Sequence, residues 1–556
     1  LRFETLLNDR ENLRVSPKVF GVILMRFFLL IAAVFATTAC AAAQSAAASK
    51  PNVVLILADD MGYSDLGCWG SEISTPNIDH LAAQGIRMTQ FYNSARCCPS
   101  RAALLTGVYN HEAGIGSMID KYATWIRNAA HSDSYMDHLS PRTPTIAEVL
   151  HTAGYRTLMC GKWHLGDRPN EWPVRRGFDR SFVLIPGAMN YYGGESTGPR
   201  TPMAIDDQKF VPPHDGFYST DAFADHAIDF LAEANEKKQP FFLYLAFNAP
   251  HWPLQAPEEN IAKYRGKYDE GWQPVREQRY KRMVELGILD GKQPMSPMDR
   301  GKVKPWNQLT DDERADWSLR MAVYAAQIER LDMNVGRVMD ELKKLGVDQN
   351  TLVLFISDNG GAAEDPNHPG TAPLGTRDSF KGYARPWATV SNTPFRFHKV
   401  TAYEGGISTP LIAYWPAGIS DKLHNTMVRE PGHIIDIMPT LMELSGAMRP
   451  PANDRPQLEG QSIAAMLRGE SLPASRSFFW EHEGNRAARV GKWKIVALAL
   501  KPWELYDIDD DRVESHNLAS EHPEKVKELE EAYNAWAKKC GVLPWEQIES
   551  KRPDKK

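Results

Sequence analysis

From residue 50 onward the chain alternates between short runs that are apolar throughout and longer stretches with apolar residues every three or four positions. Val53 to Ala58 (VVLILA), Phe241 to Phe247 (FFLYLAF) and Thr351 to Ser357 (TLVLFIS) are of the first kind. A strand apolar on both faces belongs in a sheet covered by helices on both sides. These runs therefore predict an α/β fold: a large, mostly parallel mixed sheet sandwiched by helices. Ser318 to Leu345 is of the second kind and stops at Gly346, which predicts a helix closed by a glycine. The stretch from about 258 to 318 is rich in Arg, Lys, Trp and Tyr and has weak strand character. It predicts an excursion over the domain surface, either a solvated insertion or a wall on the substrate side.

After about residue 470 the pattern changes. Phe478 to Trp480, Ala487 to Val490, Lys494 to Ala497 and Leu505-Tyr506 resemble short strands of an antiparallel sheet, and Pro523 to Lys538 reads as a helix. The expected organisation is thus residues 1–48 before the folded protein, a main domain over 49–470, and a small α+β domain over 471–556.

Composition narrows the function. With 556 residues, 43% hydrophobic and 24% charged, the chain can bury a large core. A formal net charge of -6 offers no reason to expect a nucleic-acid partner. The six cysteines (Cys40, Cys68, Cys97, Cys98, Cys160 and Cys540) are too sparse for a disulfide framework, and no CxxC pair suggests zinc. Met25-Arg26, the apolar run Phe27 to Phe35 and the small residues through Ala43 have the order of an export signal cleaved after Ala43. Residues 1–24 then read as upstream sequence, and a lipid anchor at Cys40 is the second reading. The apolar core is too short for a permanent membrane span, so the expected location is periplasmic or secreted.

Polar residues follow the apolar runs. Asp59-Asp60 follow the first, His251 the FFLYLAF run and Asp358-Asn359 the TLVLFIS run. Ligands of open α/β sheets bind outside the carboxyl ends of the strands. Three carboxylates and an amide gathered there repel one another unless a cation sits among them. Hard oxygen donors with no thiolate or imidazole favour calcium or magnesium, and a carboxylate-rich cage leans to calcium. In Cys97-Cys98-Pro99-Ser100-Arg101, the proline suits a first helical turn, which places Cys97 at a helix amino end hospitable to an anion. Arg101, four residues on, can return along that face toward Cys97. The bland alternative is a buried thiol pair at a helix start.

The string CCPSRAALLTG closely resembles the sulfatase signature C-x-P-S-R-x-x-L-x-T-G, whose first cysteine is oxidised to formylglycine. GKWHLG (161–166), NAPHWP (248–253), SDNGG (357–361) and EGG (404–406) extend the likeness over nearly all of the chain, and the intervening text is most similar to bacterial arylsulfatases. The resemblance implies an alkaline phosphatase-like fold and a hydrolase of sulfate monoesters. It implies one calcium ion held by Asp59, Asp60, Asp358, Asn359 and the modified Cys97, with Arg101, Lys162, His164, His251 and Lys399 around the sulfate. Lys399 is placed only by NTPFRFHK; His433 and Glu404 read as structural. The implied partners are a small-molecule or saccharide sulfate ester and the formylglycine-generating machinery. The alternative is a phosphonate monoester or phosphodiester hydrolase of the same superfamily. Trp125, Tyr191 and Tyr192, in the expected rim at 117–140 and 187–202, either stack on substrate or pack.

Overall fold

A computed structural model describes residues 50–193, 203–366, 372–451, 454–472 and 476–553. The export signal, the upstream segment and the rim residues 194–202 lie outside the described residues. The main sheet contains β1 (Asn52–Ala58), β2 (Ile86–Tyr92), β3 (Arg156–Lys162), β4 (Arg180–Leu184), β5 (Met203–Ile205), β6 (Gln208–Phe210) and β7 (Phe241–Ala246). It continues with β8 (Thr351–Ser357), β9 (Ser408–Tyr414), β10 (Thr426–Val428) and β11 (Gly432–His433). Its order is β10-β2-β9-β8-β1-β7-β3-β4-β5-β6, with β11 also paired to β2. The run β8-β1-β7-β3-β4 is parallel throughout, while β9 runs antiparallel to both of its neighbours, β8 and β2.

The three apolar runs are the three central strands, and they are apolar on both faces because both faces are covered. Val53, Leu55 and Leu57 join one core with Phe242, Tyr244, Leu352 and Leu354. Val54, Ile56 and Ala58 join the other with Leu243, Leu245, Val353 and Phe355. The first core includes α1 (Cys97–Thr106), a helix with every residue buried. The second includes α2 (Ser219–Glu236) and α3 (Asp311–Lys344). α3 starts seven residues earlier than its apolar periodicity predicts. Its first turn is polar and is held by a capping box, in which the Thr310 hydroxyl accepts from Glu313 N and Glu313 accepts from Thr310 N.

The 258–318 stretch carries no strand among its residues, but it is not merely solvated. It forms a helix, Trp272–Glu285, and buries Tyr264, Tyr268, Trp272, Arg276 and Arg279. Trp272 meets Trp306 and Trp387 edge-on at 4.8 and 6.0 Å between ring centroids. Aromatic side chains anchor this excursion to the domain.

The four carboxy-terminal strands are β12 (Ser477–His482), β13 (Asn485–Val490), β14 (Trp493–Ala497) and β15 (Glu504–Asp507), antiparallel and in that order. One face, with Ala488, Ile495 and Leu505, joins the core that includes Leu529, Tyr533 and Trp536 of α4 (Pro523–Cys540). The other, with Phe478, Trp480, Ala487, Val496 and Tyr506, packs on Tyr92, Tyr403 and Ile407 of the main sheet and its loops. Across that contact lies a buried charge cluster. Lys494 Nζ is 2.9 Å from Glu404 and 2.8 Å from Glu514, and Arg512 Nε donates to Glu404 at 2.9 Å. Glu404 also accepts from the hydroxyls of Tyr92 and Ser408, so its role is structural, as expected.

Removing one partner of such a cluster leaves buried charge uncompensated. Lys494→Met is expected to lower stability by about 3–5 kcal/mol in denaturant unfolding. Lys494→Met with Glu514→Gln, which removes one charge of each sign, is expected to recover part of that loss. An unaltered midpoint in the single variant counts against the cluster as the fastening between the sheets.

Candidate active site

The sheet topology gathers the polar residues. β1 and β8 are parallel neighbours with Ala58 opposite Ser357, so Asp59-Asp60 and Asp358-Asn359 leave the same edge side by side. On the other flank of β1 lies β7, and beyond it β3, with Gly161 opposite Ala246. A Cβ at Gly161 would lie 1.9 Å from the Ala246 carbonyl oxygen, and its φ is +118, so only glycine fits where β3 delivers Lys162. His251 lies on the loop after β7. Tyr191 is buried beneath that loop and its hydroxyl lies 2.7 Å from Asn248 O and 2.8 Å from His251 O. Tyr191 therefore packs and positions. Trp125 meets Trp545 edge-on at 5.9 Å, and half-buried Tyr192 sits under the Arg377 guanidinium.

Cys97 is the first residue of α1, after an extended Arg96, and is only 2% exposed. Ser94 N donates to the Ser100 hydroxyl at 2.9 Å, which folds the entering chain onto the first turn. Arg101 reaches past Cys97. Its Nε and Nη2 both donate to Asp358 Oδ2, at 3.0 and 2.8 Å, and Nη1 donates to the Lys162 carbonyl at 2.8 Å. The expected return toward Cys97 thus ends on the acidic edge, because a buried guanidinium needs a carboxylate more than a thiol.

Every cation at this edge has an anion. Lys162 Nζ donates to Asp59 Oδ2 at 2.7 Å and Lys399 Nζ to Asp60 Oδ2 at 2.8 Å. Asn359 Nδ2 donates to Asp60 Oδ1 at 2.7 Å. Asp59, Asp60, Asp358, Asn359, Arg101 and Lys162 are almost wholly buried. Burial, and then the charge of Asp59, push Asp358 up to about 7; burial likewise raises Asp59. Two oxygens in this group, Asp59 Oδ1 and Asn359 Oδ1, are buried without a hydrogen-bond partner. Asp59, Asp60 and His251 each offer a ligand atom within 4.8 Å of the others. An orphaned carboxylate oxygen and an orphaned amide oxygen among crowded carboxylates are the donor set a hard divalent cation satisfies, so the residues present fit a metal ion.

The remaining side chains surround the thiol. A hydrogen bond from Cys98, and then Lys162, His164 and Lys399, draw Cys97 well below the ordinary thiol range against the effect of burial. Burial, and then that same bond, raise Cys98. His164 is lowered by burial, while the neighbouring Cys97 works in the opposite direction. Its ring lies against Gly187, where a Cβ would come within 2.6 Å of the imidazole. Burial drives His251 down to about 4. His251 Nδ1 is 2.6 Å from the Trp252 carbonyl and so must carry hydrogen, which leaves the Nε2 lone pair facing Asp60 Oδ2 at 3.5 Å.

All the residues expected at the site converge there. Sequence reasoning missed Glu364. Its carboxylate accepts from Trp252 Nε1 at 2.7 Å and Arg96 Nη1 at 2.8 Å and lies 3.7 Å from Lys399 Nζ. Its only sequence signal is its place six residues after Asp358. His433 is buried away from this group, where it caps Ile435 N, as expected for a structural residue.

The family model described as Sulfatase matches residues 51–447, and one described as N-sulphoglucosamine sulphohydrolase, C-terminal, matches residues 395–538. An uncharacterised sulfatase of Schizosaccharomyces pombe is 37% identical over 89% of this chain and 94% of its own length. The arylsulfatase of Klebsiella aerogenes is 37% identical over 71% of this chain and 87% of its own. Among solved structures, Ps i-CgsB, also crystallised in complex with k-i-k-neocarrahexaose, superposes with a TM-score of 0.65 at 27% identity. That match covers 88% of this chain and 93% of that one. A family match over most of the chain, meeting an edge where three buried cations and three buried carboxylates surround a cysteine at a helix amino end, establishes that this chain belongs to the sulfatase family.

Proposed function

We propose that this sulfatase cleaves sulfate monoesters to an alcohol or phenol plus sulfate, using a formylglycine made from Cys97 and one bound calcium ion. The observation that carries the proposal is the position of Cys97: at the amino end of α1, buried, and flanked by Lys162, His164 and Lys399. An anionic group entering there meets the helix dipole and fixed cations in a dry site, where each counts for more than in water. Burial also means that the formylglycine-generating machinery acts before α1 folds. The pattern at Met25 to Ala43 supports export to the periplasm or beyond. No helix among the described residues is long and apolar enough to cross a membrane.

Formylglycine, once formed and hydrated, would supply a nucleophilic hydroxyl and a second hydroxyl whose loss of a proton, as the carbon–oxygen bond to sulfate breaks and sulfate departs, restores the aldehyde. Calcium, held by Asp59, Asp60, Asp358 and Asn359 with the modified residue 97, supplies positive charge to the sulfate. The chain's own groups do the rest. Lys162 and Lys399 hold sulfate oxygens as negative charge redistributes. Arg101 fixes Asp358 and the end of β3. His164, deprotonated by burial, accepts a proton at residue 97. His251 Nε2 lacks a proton in the resting site, and an incoming anion raises its affinity for one, which it passes to the departing oxygen. A saccharide sulfate is the favoured ester, supported by the sugar complex of Ps i-CgsB; a small aryl sulfate fits the arylsulfatase relative.

Mass spectrometry of the peptide spanning residue 97 should show loss of the thiol, and an aldehyde-reactive probe should label the protein there but not Cys97→Ala. Active enzyme with an intact Cys97 thiol would sink the proposal. Prolonged chelation should lower thermal stability and activity together, and calcium should restore both. Asp358→Ala should reduce metal content measured by elemental analysis; full metal and full turnover in that variant would remove Asp358 from the ligand set.

The two histidines separate by leaving group. His251→Ala is expected to slow turnover by about 10²–10⁴-fold for poorly acidic alcohols and far less for nitrophenol esters. His164→Ala is expected to slow all esters alike, with a burst of released phenol before slow turnover. Equal dependence on leaving-group acidity in both variants, without a burst, would overturn these two assignments.

A further inference from the structure

We infer that Asp65 and Tyr324 are positioning residues for the cation site, fixing the turn that presents Asp60, with Arg279 bracing them from the Trp272–Glu285 helix. The inference rests on the metal reading above. After β1 the backbone must turn sharply, and Asp60 has φ +68, a left-handed conformation uncommon for residues other than glycine, though aspartate tolerates it better than most, and here neighbouring groups hold it. The Asp60 side chain is engaged by Asn359 and Lys399, so its direction depends on that backbone remaining in place.

Three contacts keep it there. The Tyr324 hydroxyl, from α3, is 3.2 Å from the Asp60 carbonyl oxygen and 2.8 Å from Asp65 Oδ2. The same Asp65 oxygen accepts from Gly62 N at 2.8 Å, closing the turn on itself. Gly62 has no room for a side chain, since a Cβ there would lie 2.4 Å from the Ser391 carbonyl oxygen. The other Asp65 oxygen receives Arg279 Nη1 at 2.6 Å, and Arg279 is in turn held by Glu72, to which its Nε and Nη2 both donate at 2.8 Å. Tyr383 stacks on the Tyr324 ring at 4.2 Å between centroids and fixes its plane. Asp65, Tyr324 and Arg279 are all buried. A carboxylate placed there for charge alone needs only Arg279. Its second oxygen is spent on the two groups that define the Asp60 turn, which is a geometric role.

The test measures calcium affinity of the chelator-treated, full-length enzyme by titration calorimetry, alongside the melting temperature of the metal-free protein. Tyr324→Phe keeps the ring stack and removes only the hydroxyl. It is expected to weaken calcium binding by about three- to tenfold, the effect of one modest hydrogen bond. Asp65→Asn, which offers an N–H where two donors already point, is expected to weaken it further. Arg279→Lys, which loses the fork to Glu72, is expected to weaken it least and carries the test if the closer variants fail to fold. A merely structural network would lower the metal-free melting temperature and leave calcium affinity unchanged. That outcome, with wild-type protein binding calcium, overturns this inference alone. Wild-type protein that takes up no divalent cation overturns the metal reading and this inference with it.

Discussion

The structure depends on one constraint: three carboxylates share a buried edge and cannot remain there without positive charge around them. Asp59, Asp60 and Asp358 are brought together because β1 and β8 are parallel neighbours in register, so their carboxyl ends coincide. Two lysines and an arginine answer them, delivered by β3, the 392–402 loop and α1. Two oxygens are still left without a hydrogen bond. A site of this kind is stable only as a set, because removing any member leaves a buried charge exposed to its neighbours without water to screen it. The same arrangement that neutralises the carboxylates also rings Cys97 with cations, so the metal side and the anion side of the site are two consequences of one charge pattern.

The peripheral parts of the molecule serve that edge. The excursion at 258–318 buries its aromatic residues against the domain and sends Arg279 to Asp65, beneath the turn carrying Asp60. The carboxy-terminal sheet packs on Tyr92, Tyr403 and Ile407 and shares a second buried charge cluster with Glu404. Glu404 follows the 392–402 loop that bears Lys399, so this fastening lies close in sequence to the active site without touching the reacting groups.

Much of this was legible in the chain. The continuous apolar runs named the three central strands because a strand covered on both faces has no polar alternation, and that signal needs no knowledge of its partners. The signature around Cys97 and the residues at the strand ends named the site, since the family pattern fixes them by local sequence. The antiparallel strands after residue 470 were found to within a few residues of their ends. The polar first turn of α3 was missed because a capping box has no apolar periodicity to detect.

What the sequence determined by itself was therefore which segments are core strands and which side chains carry chemistry. Tertiary structure alone decided how those side chains share their charges. Arg101 is four residues from Cys97, yet its partner is Asp358, 257 positions away. Asp65 and Glu364 are ordinary acidic residues in the sequence and become supports only when α3, the Trp272–Glu285 helix and the loops after β7 and β8 converge on them. The reason is physical. Periodicity reports burial, a property each segment expresses alone, whereas the pairing of buried charges is fixed by distance and dielectric, which exist only once the strands are side by side.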